Sequence, residues 1–251
     1  MADIVLRTEA LSKQYGALVA VDSVTLGVAE WSAHAVIGPN GAGKTTLINL
    51  LSGEVKPSHG RIRFRDHEIA GAPSDRIARL GIGRSYQKTN IFGSFSCIEN
   101  CWIGAQSHLP SSMRFFRPAP RYRAVAERAE RALALCGLLD RRDAMASAIS
   151  YGEQRQLEIG MMLATEPTLL LLDEPLAGMS GEEAARVIDL LQRLAEDHTL
   201  VLIEHDLDAV FAIADTVTVM VNGAILETGP PDRIRTSEAV REAYIGDGET
   251  E

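Results

Sequence analysis

"AHAVIGPNGAGKTTLINLLSG", Ala33 to Gly53, decides how the rest of the chain is read. It opens as a short apolar strand, passes through a glycine-rich turn and closes as a helix ending at Gly53. The turn consists of Gly38, Pro39, Asn40, Gly41, Ala42, Gly43, Lys44, Thr45 and Thr46. It fits the pattern G-x-x-x-x-G-K-[ST], in the strand-then-helix setting that the pattern requires. Small residues there let successive backbone N–H groups turn inward as an anion nest, and the helix points its positive dipole end at the same spot. Lys44 is placed to neutralise charge on the β- and γ-phosphates of a nucleotide, and the Thr45 hydroxyl to ligate Mg2+.

A second stretch supplies what such a loop needs. "TLLLLDEP", Thr168 to Pro175, reads as a buried strand that delivers Asp173 and Glu174 to its carboxyl end. Adjacent carboxylates at a strand end can divide the work. Asp173 stays ionised and holds magnesium-bound water, while Glu174 faces the space beyond the γ-phosphate and accepts a proton from attacking water. Without the loop, the same residues would read as a strand feeding acids into a helix N-cap.

Outward from these motifs, the first 60 to 70 residues are strand-rich, with β-prone runs in "DIVLRTEALS", "VAVDSVTLGV" and "GRIRFRDHEI". From Arg76 to about Ala148 the texture is helical, as in "AVAERAERALALCGLL", and the prolines at 110, 118 and 120 mark a loop or broken helix. After Ile149 a helix, the "LLLLD" strand, the helix "EEAARVIDLLQRLAED" and the strand "LVLIEHD" follow one another. That alternation predicts an α/β body with a mainly parallel sheet covered on both faces, interrupted by a helical insertion.

Composition narrows the function classes. A net charge of -9, from 25 basic and 34 acidic residues among 251, argues against a general nucleic-acid binder. The start, "MADIVLRTEA", lacks the basic flank and apolar run of a secretory signal, and no apolar run approaches the ~20 residues that cross a bilayer. Cys97, Cys101 and Cys136 form no paired CxxC set, so reduced, buried thiols in a cytosolic chain are expected.

The ordered set Tyr15, "GPNGAGKTT", Gln87, "ISYGEQ", "LLLLDE" and "LIEHD" resembles the ATP-binding-cassette ATPases over essentially the whole chain. The resemblance implies a P-loop NTPase with an N-terminal antiparallel β subdomain and an inserted α-helical subdomain. Residues 1–251 would form one nucleotide-binding domain, its RecA-like body at about 1–86 and 160–251 and its helical subdomain at about 87–159. It also implies ATP and Mg2+ as cofactors and gives roles to matching residues. Tyr15 would stack on adenine, although taken by itself it also reads as core packing. Gln87 would touch Mg2+ and the attacking water. His205 would reach the γ-phosphate, where an isolated histidine would also serve as a cap. Catalysis would then rest on Glu174, His205 and Gln87, and the metal on Thr45, Gln87 and Asp173.

In this family the segment matching "ISYGEQR" begins a helix and binds the γ-phosphate of ATP held by another subunit. Ser150 would act through its hydroxyl and N-cap position, and Gly152 through a bare backbone N–H. Tyr151 and Glu153 depart from the commoner LSGGQ. The ring must turn away from the nucleotide, and the carboxylate, tolerated by the helix dipole, must point aside. Ser180, in "LAGMS", stands where many relatives carry Asp.

"RLGIGRSYQKTNIFGSFSCIENCWIGAQ", "YGEQRQLEIGMMLATEPTLLLLDEPLAGM" and "VREAYIGDGE" look like the larger ATPase of bacterial branched-chain amino-acid importers. This implies a paralogous ATPase partner in a heterodimer, with a homodimer as the alternative. It also implies two transmembrane permease subunits, and through them a periplasmic or extracellular solute-binding protein. No nucleic acid is expected, and the location would be the cytoplasmic face of the inner membrane. Residues from Thr89 to Trp102 would receive a permease helix, while the His108–Arg123 stretch reads as a solvated insertion or a membrane-proximal one. Importers of urea, amides or other small solutes share the pattern. A lipopolysaccharide-export ATPase and a soluble non-transport cassette ATPase are the further alternatives.

Overall fold

The computed structural model describes residues 3–86, 90–108 and 123–245. The chain opens with β1 (Ile4–Tyr15), β2 (Leu18–Val24) and β3 (Gly27–Ala29), followed by β4 (Ala33–Ile37) and α1 (Lys44–Leu51). Next come β5 (His59–Phe64), β6 (His67–Glu68), α2 (Ser74–Arg79) and β7 (Ile82–Arg84). Three helices follow: α3 (Cys97–Ala105), α4 (Arg123–Leu135) and α5 (Tyr151–Leu163). The remainder alternates through β8 (Leu169–Asp173), α6 (Gly181–Asp197), β9 (Thr199–Ile203), α7 (Leu207–Ile213) and β10 (Thr216–Val221). It closes with β11 (Ala224–Gly229), α8 (Pro231–Thr236) and α9 (Glu238–Ile245).

Two sheets result. β2, β1, β5 and β6 lie side by side and antiparallel, with β3 also on β1. The second sheet has the order β11-β10-β4-β9-β8-β7 and is parallel except for the β10–β11 hairpin. The run "VAVDSVTLGV" is split between β2 and β3 because Thr8 substitutes for the ladder there. Its hydroxyl donates to the Val24 carbonyl and accepts from the Leu26 N–H, both at 2.9 Å.

β4, β8 and β9 are buried at every position, as strands between two covering layers must be. Their pleat separates two cores. Ala35, Ile37, Leu170, Leu172, Leu200 and Leu202 face residues of α3, α4, α5, α6 and α7, whereas Val36, Leu169, Leu171, Val201 and Ile203 face α1 and the antiparallel sheet. α6 shows the matching stripe, burying Val187, Leu190, Leu191 and Leu194 at helical spacing. Cys97, Cys101 and Cys136 are free and buried, and burial pushes their thiols up, Cys101 to about 12.

This topology positions the site. β4, β9, β8 and β7 are parallel neighbours, so the segments leaving their carboxyl ends emerge along one edge of the sheet. Those segments begin with Gly38 after β4, Glu204 and His205 after β9, Glu174 after β8, and Ser85 and Tyr86 after β7. Open α/β sheets bind ligands along such an edge.

Candidate functional site

The loop from Gly38 to Thr46 is tied to the strands on either side of it. Gly38 has φ 147°, and a Cβ there would lie 2.0 Å from the Met220 carbonyl of β10. Gly43 has φ 98°, and its Cβ would lie 2.2 Å from the Ala20 carbonyl of β2. Any side chain at either position would push the loop off its sheet. The Gly223 N–H donates to the Ala42 carbonyl at 3.1 Å, closing the cradle from a third side. Gly43 caps α1 without a side-chain oxygen, and the first turn of α1 carries no acid, so nothing local offsets its positive end. Lys44 is buried, and its ammonium donates to the carbonyls of Gly38 at 2.6 Å and Pro39 at 2.8 Å. Thr45 and Asn40 are exposed at the mouth.

Asp173 ends β8 almost wholly buried. Burial raises its pKa, opposed first by Arg84, whose guanidinium lies 3.7 Å from Oδ2. Its Oδ1 is buried and has no hydrogen-bond partner among the described residues. An orphaned carboxylate oxygen at the end of β8, on the sheet edge from which the Gly38–Thr46 loop also emerges, is a donor suited to a hard cation such as Mg2+, which binds through oxygens and retained waters. The residues present fit that group.

Glu174 sits in left-handed backbone, φ 47°, a strained conformation for a non-glycine residue. Two buried charged side chains bond the backbone at Glu174 and just after it. Arg155 of α5, fully buried, donates to the carbonyls of Glu174 at 3.0 Å and Pro175 at 3.4 Å. Glu204, fully buried after β9, accepts the Leu176 N–H at 2.8 Å and the His205 N–H at 3.2 Å. A cation thus grips two carbonyls of the segment after β8, and a carboxylate grips one of its N–H groups. Arg155 also pairs with Glu158 at 2.7 Å and donates to the Tyr86 carbonyl, while the Tyr86 N–H donates to Glu158. His205 projects outward, its side chain 65% exposed, with Nδ1 3.8 Å from Glu204.

Tyr15 ends β1 with its ring exposed and the Lys13 ammonium 4.8 Å from the ring centre. Gln87 lies outside the described residues, as do residues 109–122 of the His108–Arg123 stretch.

Ser150, Gly152 and Glu153 lie at the N-terminus of α5. Ser150 caps the helix and forms a reciprocal capping box with Glu153, whose carboxylate accepts the Ser150 N–H at 2.8 Å. Arg141 takes the other oxygen at 3.1 Å. These contacts, the Ser150 N–H foremost, hold the Glu153 pKa below the usual range and fold its side chain back over its own cap. The Tyr151 ring is partly exposed and leans toward Gly178. One expectation is corrected: the Gly152 N–H is not bare. It donates to Glu183 of α6 at 3.1 Å. The contacts positioning the Gly38–Thr46 loop thus come from β2, β10 and Gly223, and those positioning this helix end from Arg141 and Glu183.

Sequence reasoning passed over Arg155, Glu158, Glu204 and Glu183. The i,i+3 pair Arg155–Glu158 carries a signal, two opposite charges on one face of a helix that follows a phosphate motif. Glu204 reaches the Leu176 N–H and Glu183 the Gly152 N–H across long stretches of sequence, and although the Ser180-x-x-Glu183 spacing marks a helix start, nothing local marks either long-range contact.

The ABC transporter family model matches residues 21–177. LivG of Salmonella typhimurium, a high-affinity branched-chain amino acid transport ATP-binding protein, is 37% identical over 255 residues, covering 98% of this chain and 100% of LivG. BraF of Pseudomonas aeruginosa, with the same description, is 37% identical over 254 residues, with coverage of 98% and 100%. Among solved structures, the ADP conformation of MJ1267, an ATP-binding cassette of an ABC transporter, superposes with a TM-score of 0.87 at 30% identity, covering 97% of this chain and 99% of the other. The chain belongs to the ABC transporter family and is one of its nucleotide-binding ATPases.

Proposed function

We propose that this chain is one of two ATPase subunits that drive an importer for branched-chain or other hydrophobic amino acids from the cytoplasmic face of the membrane. The observation that carries the mechanism is the division of anion-binding groups into two sets with different supports. The phosphate loop, Asp173, Glu174 and His205 share one sheet edge. Ser150 and Gly152 sit at the N-terminus of α5, where Arg141 and Glu183 contact the first turn, while Arg155 further along ties the helix to that edge. Each chain is then half of two sites, and ATP between two chains completes both.

Within one half, the loop N–H groups and Lys44 bind the phosphates, and Tyr15 stacks on the adenine. Thr45, Asp173 and Gln87 hold the metal, which when bound neutralises phosphate charge. Glu174 accepts the proton of the attacking water, and His205 contacts the γ-phosphate from the end of β9. Loss of the γ-phosphate lets the pair reopen. The Arg155 contacts support coupling of that step to the helical segment, since α5 grips the backbone carrying both Glu174 and Tyr86.

No helix among the described residues is long and apolar enough to cross a membrane, so membrane crossing falls to permease subunits. A groove of about 520 Å3, whose lining combines Phe95, Ile98 and Trp102 with the charged Glu99, Glu130 and Arg142, suits a permease helix. The partner ATPase is read as a paralogue, and a solute-binding protein acts through the permease. The amino-acid substrate rests on full-length similarity to LivG and BraF.

The test is isolation of the intact membrane complex, with solutes screened for stimulated ATP turnover. Stimulation by leucine, isoleucine or valine is expected. Stimulation by urea or short amides instead would overturn the substrate, and co-purification with DNA or ribosomes rather than membrane proteins would overturn transport.

A further inference from the structure

The helix end proposed above as the seat of a second subunit's γ-phosphate already carries an anion. Glu183 is the third residue of α6 and closes that helix's own cap, accepting from the Ser180 N–H at 3.2 Å and hydroxyl at 2.9 Å. Its other oxygen accepts the Gly152 N–H at 3.1 Å. The fit is close: a Cβ on Gly152 would lie 2.9 Å from the Cβ and Cγ of Glu183. One carboxylate therefore bridges the positive ends of two helices, α5 and α6. The N–H groups of Gly152 and Ser180, aided by the Ser180 and Ser150 hydroxyls, hold its pKa down to about 2, so it is ionised at neutral pH. Glu153, the other acid at this helix end, is turned onto Ser150 and Arg141.

A carboxylate and a terminal phosphate make the same demand on a helix N-terminus: a negative oxygen accepting backbone N–H groups. We infer that Glu183 sets the affinity of this helix end for the γ-phosphate, because its carboxylate competes for the Gly152 N–H and must swing away before a nucleotide from the opposing subunit can be gripped. The inference rests on the half-site reading and adds a cost to it. Closure exchanges an internal anion for an external one, so it requires more ATP than a free helix end would. A purely structural Glu183 would do no more than cap α6. Removing it would then lower stability and leave closure unchanged or weaker.

The two readings have opposite signs in one experiment. The full chain carrying Glu174→Gln, alone and mixed with its paralogous ATPase, is titrated with Mg-ATP while association is followed by sedimentation velocity. Glu183→Gln keeps a side chain able to cap α6 but removes the charge. It is expected to lower the ATP concentration for half-maximal association by about 3- to 10-fold, the scale of one solvent-accessible hydrogen bond or ion contact. Glu183→Asp keeps charge and cap but is a methylene too short to reach Gly152, and it should shift the midpoint the same way by less. Ser150→Ala is the control for the underlying reading and should raise the midpoint. If it does and neither Glu183 variant lowers the midpoint, the inference about Glu183 is wrong by itself. If the parent chain shows no ATP-driven association, or Ser150→Ala associates as readily as the parent, the half-site reading fails and takes this inference with it.

Discussion

The loop from Gly38 to Thr46 and the helix end at Ser150–Gly152 are the two places proposed to present backbone N–H groups to an anion, and their surroundings differ. The loop is wedged between β2 and β10, where two glycines abut carbonyls at distances no side chain survives. Its cation, Lys44, is buried against the loop's own carbonyls. At the helix end the cap residue is exposed, Tyr151 is partly exposed, and one of the key N–H groups is occupied by a carboxylate from a neighbouring helix. A donor set fixed by a buried sheet is preorganised and costs little to use. A set capped by a movable internal anion has a threshold. The contrast suits a motor in which nucleotide binding to one chain comes first and engagement by the second chain is the controlled step.

The largest effect tests the rigid end. Glu174→Gln should cut turnover by roughly 10²–10⁴ while ATP still binds, because the backbone clamp remains and the base is lost. Unchanged steady-state turnover would remove Glu174 from that role. Next comes the clamp itself. Arg155→Met leaves Glu158 buried without its partner, which should cost about 3–5 kcal/mol of stability in denaturant titration. Pairing it with Glu158→Leu should return much of that loss, and no recovery would place the cost in the contacts to Glu174, Pro175 and Tyr86.

A pH prediction sharpens the comparison from beneath the loop. His34, on β4 just before Gly38, is buried against Thr218, and burial lowers its pKa to about 4. Between about pH 6.5 and that value the unfolded chain binds a proton that the folded chain refuses. Stability therefore falls as pH drops through this window, by about 3 kcal/mol at its lower end at 1.36 kcal/mol per pKa unit. Asp173, Glu158 and Glu204, whose pKa values are raised by burial, work in the opposite direction. Comparing wild type with His34→Gln at pH 7 and pH 4.5 isolates the histidine, and equal losses in both would refute its contribution. Lys44→Ala should weaken ATP binding by about 1.5–3 kcal/mol, read by calorimetry. Retained affinity would count against the loop as the phosphate seat.

What the sequence disclosed and what it concealed follow the same division. The loop and Asp173 were legible because their chemistry is local: glycine spacing, a lysine, a strand ending in a carboxylate. The parallel sheet was legible because β4, β8 and β9 are buried on both faces and hence almost entirely apolar, apart from His34, Asp173 and Thr199. Arg155 and Glu204 were not, because the loop they grip is assembled from strands that become neighbours only in the fold. Gly152 was expected to be bare, and only the packing of α6 against α5 shows its N–H engaged by Glu183.

The half-site claim is tested most directly by ATP turnover per chain across a dilution series, with the association state measured in the same samples. The account predicts that turnover per chain collapses as the chain becomes monomeric and returns when a second ATPase subunit is added. Full turnover from a verified monomer would contradict it.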